Sequence, residues 1–420
     1  MAIRAYCRVP EIKKRALKPK EGGCPELLED LFLELSGAEE IHVATYLFNN
    51  PTYYKYLSSL AKQGSKIFVT TLPERGYGNK KLKVEGYNEK ISGRDMAKQI
   101  FSEIKSTGNI DLRFFPHQYV WYGALYAGGG PSYSFHIKAA YAKYPKGKNK
   151  CILSSGNFMF TDPYHSDSLL IFEREPTYEK IFSRFFADLE DYSIPCNAFY
   201  HNFLDYKKEF LMSYSGHERM LNFKELEHCF FTAPFYLLNG IGSNHYAGNR
   251  IIELIRDAKE RVWVCAQHFH DVISFDRERE SIVKALYEKA DQSPKIELRF
   301  LKQVPNYSLA DKRRAAITET IFQYVTHAAQ RFNRLTHDKF ILVDDTLLFS
   351  TANYTPTQFA FGLRKMEYKN ADGEKITKED NFSEVNGFAI VPKCPKEVIN
   401  QFEEHFDKMW DDGEEISINL

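Results

Sequence analysis

The sequence predicts an α/β fold written twice in one chain, and three observations predict it. Segments with apolar residues three and four apart alternate with short apolar runs of strand length. The alternation follows the same order in both halves. The stretches "VATYLFNN" and "VCAQHFHD" can also be laid over each other without a gap. Helices covering a parallel or mixed sheet give this pattern.

In the first half "CPELLEDLFLELSGA" reads as a helix and "EEIHVATYLF" as a buried strand; "YYKYLSSLAKQG" follows as a helix and "SKIFVTTLP" as a strand. In the second half the series is "NRIIELIRDAKE", "RVWVCAQHF", "SIVKALYEKADQSP" and "KIELRFLKQVP". Each half then closes on a strand opening with His-x-Lys and another ending in small residues and Asn. A helical stretch near Tyr178–Tyr192 ends the first lobe, placing lobes at 1–192 and 229–420 with a linker at 193–228. The Gly- and Lys-rich segment Glu74–Arg94 and the aromatic, Gly-rich segment Tyr119–Phe135 read as loops added to the first half.

The chain has 420 residues, enough for two or three domains. It is 43% hydrophobic and 27% charged with zero formal net charge, so binding to a polyanion has to come from local patches. Seven irregularly spaced cysteines without a CxxC pair fit free thiols in a reducing compartment. "MAIRAYCRVPEIKKRALKPK" contains no apolar signal-peptide core, and no run reaches the ~20 apolar residues of a membrane span. The expectation is a cytoplasmic protein without stable membrane association.

Residues i and i+2 of a strand share a face. His136 and Lys138 therefore point one way, as do His337 and Lys339; Ser155 with Asn157 and Thr351 with Asn353 follow the same rule. A face carrying imidazole, ammonium, hydroxyl and amide groups suits an oxyanion, most naturally a phosphate diester. One such pattern is common in any sequence. Two combined copies in corresponding places are not.

These residues resemble the phospholipase D superfamily, whose pattern is His-x-Lys-x4-Asp followed by Gly-Ser-x-Asn, present twice. "HDKFILVD" supplies His337, Lys339 and Asp344, and "STAN" supplies Thr351 and Asn353. The first copy has His136, Lys138, Ser155 and Asn157, with Lys143 where the Asp is expected, a departure also seen in the tyrosyl-DNA phosphodiesterase branch. Asp167 and Glu384 stand where family members carry an acidic residue that orients a histidine. The resemblance implies two αβαβα lobes related by a pseudo-twofold axis, no metal and no cofactor. It also implies a mechanism in which one histidine attacks phosphorus while the other protonates the leaving oxygen and then activates water. The lysines and asparagines would bind the non-bridging oxygens. By analogy His136 is the nucleophile and His337 the acid; the sequence leaves the reverse open.

Basic residues flank both motifs: Lys143, Lys146, Lys148 and Lys150 after the first, and Arg313, Arg314, Arg331 and Arg334 before the second. They are candidates for holding a nucleic-acid backbone. "HFHD" (His268–Asp271) lacks further ligands at metallohydrolase spacing and reads as a pocket-lining strand end. The expected activity is a nuclease, on DNA in preference to RNA. The alternative is a phospholipase D or phosphatidyl transferase acting on lipid headgroups. A duplicated chain can build the whole site as a monomer, and a homodimer is compatible with it.

Overall fold

The computed structural model describes residues 2–11, 18–115, 135–201, 219–220, 226–233, 235–238, 241–270, 280–303, 309–324, 328–359, 364–369, 375–380 and 384–416. Two mixed eight-stranded sheets flanked by helices form two lobes. The first sheet runs, edge to edge, Ala2–Arg8, Asp167–Glu173, Lys150–Ser154, Lys138–Lys143, Glu40–Thr45, Lys66–Thr71, Asp111–Phe114, Ile194–Pro195. The second runs Cys229–Thr232, Asn386–Val391, Thr346–Ser350, Lys339–Val343, Arg261–Ala266, Glu297–Lys302, Ala329–Phe332, Glu414–Glu415. Strand for strand, the orders correspond.

In each sheet the third to fifth strands in this order pair antiparallel, and the next two pairings are parallel. Strands buried on both faces read as continuous apolar runs, as Val262–Ala266 does. Helix starts are set locally: Pro51–Lys62 has Pro at its first position, and the Asn50 side chain accepts from Thr52 N at 2.9 Å and Tyr53 N at 3.1 Å. Ser92 and Ser281 cap Gly93–Thr107 and Ile282–Gln292 by accepting from Asp95 N and Lys284 N.

Several strands escape the sequence reading, among them Asp111–Phe114, Cys229–Thr232 and Ala329–Phe332. Ala2–Arg8 pairs antiparallel with Asp167–Glu173 over seven residues, and Ile194–Pro195 extends the first sheet just past position 192. The aromatic segment Tyr119–Phe135 lies, apart from Phe135, outside the described residues.

The lobes meet along the motif strands. The Ser166 amide donates to the Leu335 carbonyl at 2.7 Å, and Tyr178 Oη donates to the Ile390 carbonyl at 3.3 Å. Phe185 stacks on Phe231 at 3.9 Å between ring centroids. Gly387 lies close against the other lobe: a Cβ there would stand 2.8 Å from Leu153 Cδ2 in that lobe and 3.0 Å from Phe231 Cε1. Any side chain at 387 would force Leu153 and Phe231 to shift.

Candidate active site

Register places the two motifs equivalently. Lys138 opens its strand opposite Thr45, the last residue of the adjoining strand, and Lys339 does the same opposite Ala266. His136 and His337 stand two residues earlier, at the mouth of each sheet. Lys138, Lys339, Asn157, Asn353 and His337 are buried, and His136 is half-buried.

The two sets interlock across the lobe boundary. Lys138 Nζ lies 3.5 Å from the Thr351 carbonyl oxygen, and Lys339 Nζ lies 3.4 Å from the Ser155 carbonyl oxygen. Asn157 Nδ2 lies 3.5 Å from His337 Nε2, while His337 Nδ1 is 2.8 Å from Asp167 Oδ1. An imidazole that donates from Nδ1 to a carboxylate presents Nε2 to the cleft. Within its own set, Lys138 Nζ sits 2.9 Å from His136 Nε2 and 3.1 Å from Nδ1. Tyr46 packs edge-on against His136, with ring centroids 5.5 Å apart.

The hydroxyls and the acceptors behind the histidines repeat as well. Ser155 Oγ donates to Asp167 Oδ1 at 2.7 Å and accepts from Ser168 N at 2.9 Å. Thr351 Oγ1 donates to Asn386 Oδ1 at 3.1 Å and accepts from Gly387 N at 3.0 Å. The counterpart of Asp167 is therefore Asn386, whose Oδ1 faces His136 Nδ1 at 3.4 Å. This corrects the placement of Glu384 as the residue orienting a histidine. Glu384 stands one step back and accepts from Asn386 Nδ2 at 3.2 Å and from Gln358 Nε2. The equivalence is hidden in the sequence because Ser155 and Asp167 are 12 residues apart, whereas Thr351 and Asn386 are 35 apart. The antiparallel strands Arg364–Lys369 and Lys375–Asp380 occupy the difference.

Asp344 belongs to the far end of its strand. Its carboxylate accepts from the amides of Lys259 at 2.9 Å, Glu260 at 2.8 Å and Arg261 at 3.0 Å. Its work is to fix the turn entering Arg261–Ala266. Lys143, its counterpart, forms an ion pair with Glu40 at the start of the equivalent strand. The departure from the motif is thus a swap of one structural tie for another.

Of the basic residues proposed to hold nucleic acid, those that follow the first motif are carried away from the cleft by their strand. Five residues of strand at about 3.3 Å each put Lys143 roughly 17 Å from Lys138. Lys146 and Lys148 are exposed at that far turn, and Lys150 is tied to Glu34 at 3.0 Å. Arg331 donates to the Trp410 carbonyl at 2.8 Å and lies over the Trp410 ring. Arg334 is exposed, three residues before His337. Arg313 and Arg314 lie on Leu309–Tyr324, but their side chains fall outside the described residues. Gln267 and His268 follow Arg261–Ala266 directly, at the mouth of the second sheet, where Gln267 Nε2 donates to Gln303 Oε1 at 3.3 Å.

Sequence reasoning missed His165 and Asp338. His165 is buried behind the site, its ring stacked on His337 at 4.1 Å and its Nδ1 2.5 Å from Asp167 Oδ2. Asp338, on the opposite strand face from His337 and Lys339, accepts from Ser166 Oγ and Ser168 Oγ, both at 2.6 Å, and contacts His405 Nε2 at 2.9 Å. Alternation along the two strands could have shown it: Ser166 and Ser168 flank Asp167 as Asp338 separates His337 from Lys339.

Cationic groups crowd the cleft, and their protonation follows. Burial, then Lys138 and Lys339, push His136 well below the ordinary imidazole value. Burial and Lys339 likewise push His337 down, with Asp167 opposing them. Burial and Lys339 depress Lys138, and burial brings Lys339 down to about 8. An anion bound between them relieves all four at once.

Comparisons with known proteins give one family model and several similar folds. Residues 251–373 match the family model described as cardiolipin synthase, PLD-like domain, a span that holds the second motif. No curated protein matches the chain. Among solved structures, phosphatidylserine synthase from Haemophilus influenzae is similar over 93% of this chain and 85% of its own, at 13% identity and a TM-score of 0.55. Polyphosphate kinase from Porphyromonas gingivalis is similar over 92% of this chain at 12% identity and a TM-score of 0.48, and the chain spans 48% of its length. Yeast tyrosyl-DNA phosphodiesterase is similar over 84% of this chain and 83% of its own, at 11% identity and a TM-score of 0.40.

Proposed function

The chain belongs to the phospholipase D superfamily, and from that premise we propose that it is a metal-independent phosphodiesterase cutting nucleic acid through a phosphohistidine intermediate. The single observation that carries the chemistry is the crossed contact of the two half-sites, Lys138 with Thr351 and Lys339 with Ser155, which sets both histidine–lysine pairs around one cleft.

In this reading the neutral His136 attacks phosphorus through Nε2 while Asn386 accepts from its Nδ1. The Nε2–P bond forms as the P–O bond to the leaving group breaks, and His337 gives its proton to that oxygen. His337 then takes a proton from water, whose oxygen displaces His136 from phosphorus. The Asp167 carboxylate beside His337 suits it for the group that starts each cycle protonated, and His136, with only an amide behind it, for the group that starts neutral. Lys138, Lys339, Asn157 and Asn353 stabilise the non-bridging oxygens. Lobes at 1–192 and 229–420 each supply half of the machinery, so one chain suffices.

The buried lysines of both motifs suit an anionic substrate. DNA is the substrate expected in preference to RNA, and the thiol pattern supports a cytoplasmic setting. A second reading, headgroup hydrolysis or phosphatidyl transfer, is favoured by the likeness to phosphatidylserine synthase along 93% of the chain. No described helix is long and apolar enough to cross a membrane.

The test is a panel of labelled single-stranded DNA, double-stranded DNA, RNA and phospholipid vesicles, each incubated with purified protein in excess EDTA. Cleavage of a nucleic acid that His136→Ala and His337→Ala both abolish is the expected result. Headgroup release without nucleic-acid cleavage would establish the second reading, and activity lost to EDTA would remove the metal-free mechanism.

A further inference from the structure

The Asp167 carboxylate serves two imidazoles. Oδ1 faces His337 Nδ1 at 2.8 Å, and Oδ2 faces His165 Nδ1 at 2.5 Å. The two rings stack at 4.1 Å with 26° between their planes. The carboxylate and His165 are almost wholly withdrawn from solvent, with side-chain exposures of 0% and 2%. We infer that His165 is a positioning residue held as a fixed cation, which shares Asp167 with His337 and thereby sets the acidity of His337. The inference rests on the reading of His337 as a proton-transfer group and says how that group is tuned.

His165 is seated for this role by its surroundings. Asp162 Oδ2 lies 3.8 Å from its Nε2, so two carboxylates flank the ring. Burial opposes the charge, but Asp167 and Asp162 outweigh it and hold the imidazolium up to about 10. Gly23 closes the other side with φ +61°, and a Cβ there would stand 2.4 Å from His165 Nε2. The equivalent position in the second lobe, two residues before Asn386, is Glu384. Behind His337 therefore stand a carboxylate and a cation; behind His136 stand an amide and a carboxylate.

The charges facing His337 are Asp167 and His165 from the first lobe and Lys339 from its own strand. Asp167 alone would favour the imidazolium strongly. A cation stacked on the ring and bound to the far carboxylate oxygen offsets that pull. The consequence is catalytic: the cation weakens the hold of Asp167 on the His337 proton and so makes that proton easier to give up.

The test is the His337 pKa itself, read by NMR on full-length protein labelled with 15N-histidine, with the resonance assigned through His337→Gln. His165→Gln keeps an N–H donor for Asp167 and removes the charge. The expected result is a rise in the His337 pKa of about one unit or more. An unchanged value would overturn the inference, because His165 would then serve Asp167 and His337 by packing alone. If thermal melting shows that His165→Gln does not fold, Gly23→Ala, which leaves the imidazole but displaces it, is read the same way. The readout needs no substrate, so a wild-type protein without phosphodiesterase activity would sink the proposed function and leave this measurement decisive.

Discussion

Ser168 Oγ donates to Asp338 Oδ1 at 2.6 Å across the seam between the two sheets, one residue along from each partner of the Asp167–His337 contact. The same two strands therefore build the cleft on one face and a buried polar lock on the other. Asp338 also accepts from Ser166 and contacts His405, so its removal takes the acceptor from Ser168 and His405 and leaves Ser166 only the Leu335 carbonyl. Asp338→Ala is expected to cost roughly 2–4 kcal/mol in urea unfolding, since hydrogen bonds to a buried charge are the costly ones to lose. Retention of wild-type stability would show that the seam is held elsewhere.

Anion binding should take up protons. Lys339 titrates near 8 and Lys138 and His337 are pushed down from their usual values, so above neutral pH the unliganded cleft has shed part of its positive charge. A bound phosphate or vanadate favours the charged forms and raises these pKa values. At pH 8, titration calorimetry with inorganic phosphate or vanadate in buffers of different ionisation enthalpy should show net proton uptake, and Lys339→Gln should reduce it. Affinity should weaken as pH rises through 8. Binding with proton release would contradict this account of the cleft.

Much of this site was legible because strand alternation and internal duplication are properties of sequence. His136, Lys138, His337 and Lys339 were placed by period-2 spacing, and the alignment of "VATYLFNN" with "VCAQHFHD" located equivalent strands. What failed depended on distance through space. Asn386 was hidden by the hairpin strands inserted after Asn353, and a carboxylate two residues earlier was the more conspicuous candidate. His165 and Asp338 acquire meaning only when the sheets meet. The lysines after the first motif stand at the far end of its strand, because nearness along a strand is not nearness in space.

Asp344 and Lys143 should prove structural. Asp344 accepts three backbone amides, and losing these charge-assisted bonds leaves the turn before Arg261–Ala266 unsatisfied. Asp344→Ala is expected to lower stability by about 2 kcal/mol while kcat at a permissive temperature stays within a few-fold of wild type. Lys143→Ala, which removes a partly exposed ion pair with Glu40, should cost less than about 1 kcal/mol. A hundred-fold loss of kcat in either variant, with the fold intact, would return the residue to the catalytic machinery.

The acceptors behind the histidines differ by one charge, and exchanging it should move the pH profile in a defined direction. Asn386→Asp places a carboxylate 3.4 Å from His136 Nδ1 in the wild-type geometry and sets it beside Glu384. A negative charge there favours imidazolium, so the His136 pKa rises from its depressed value. If His136 is the nucleophile it has to be neutral, and a higher pKa means that less of it is neutral at low pH. The acid limb of kcat/KM on a generic diester such as bis(p-nitrophenyl) phosphate should therefore shift upward in pH by about one unit. Adding Glu384→Gln returns the number of carboxylates to that of the wild type and should bring the limb part of the way back. A basic limb that shifts instead, with the acid limb fixed, would make His136 the proton donor and His337 the nucleophile.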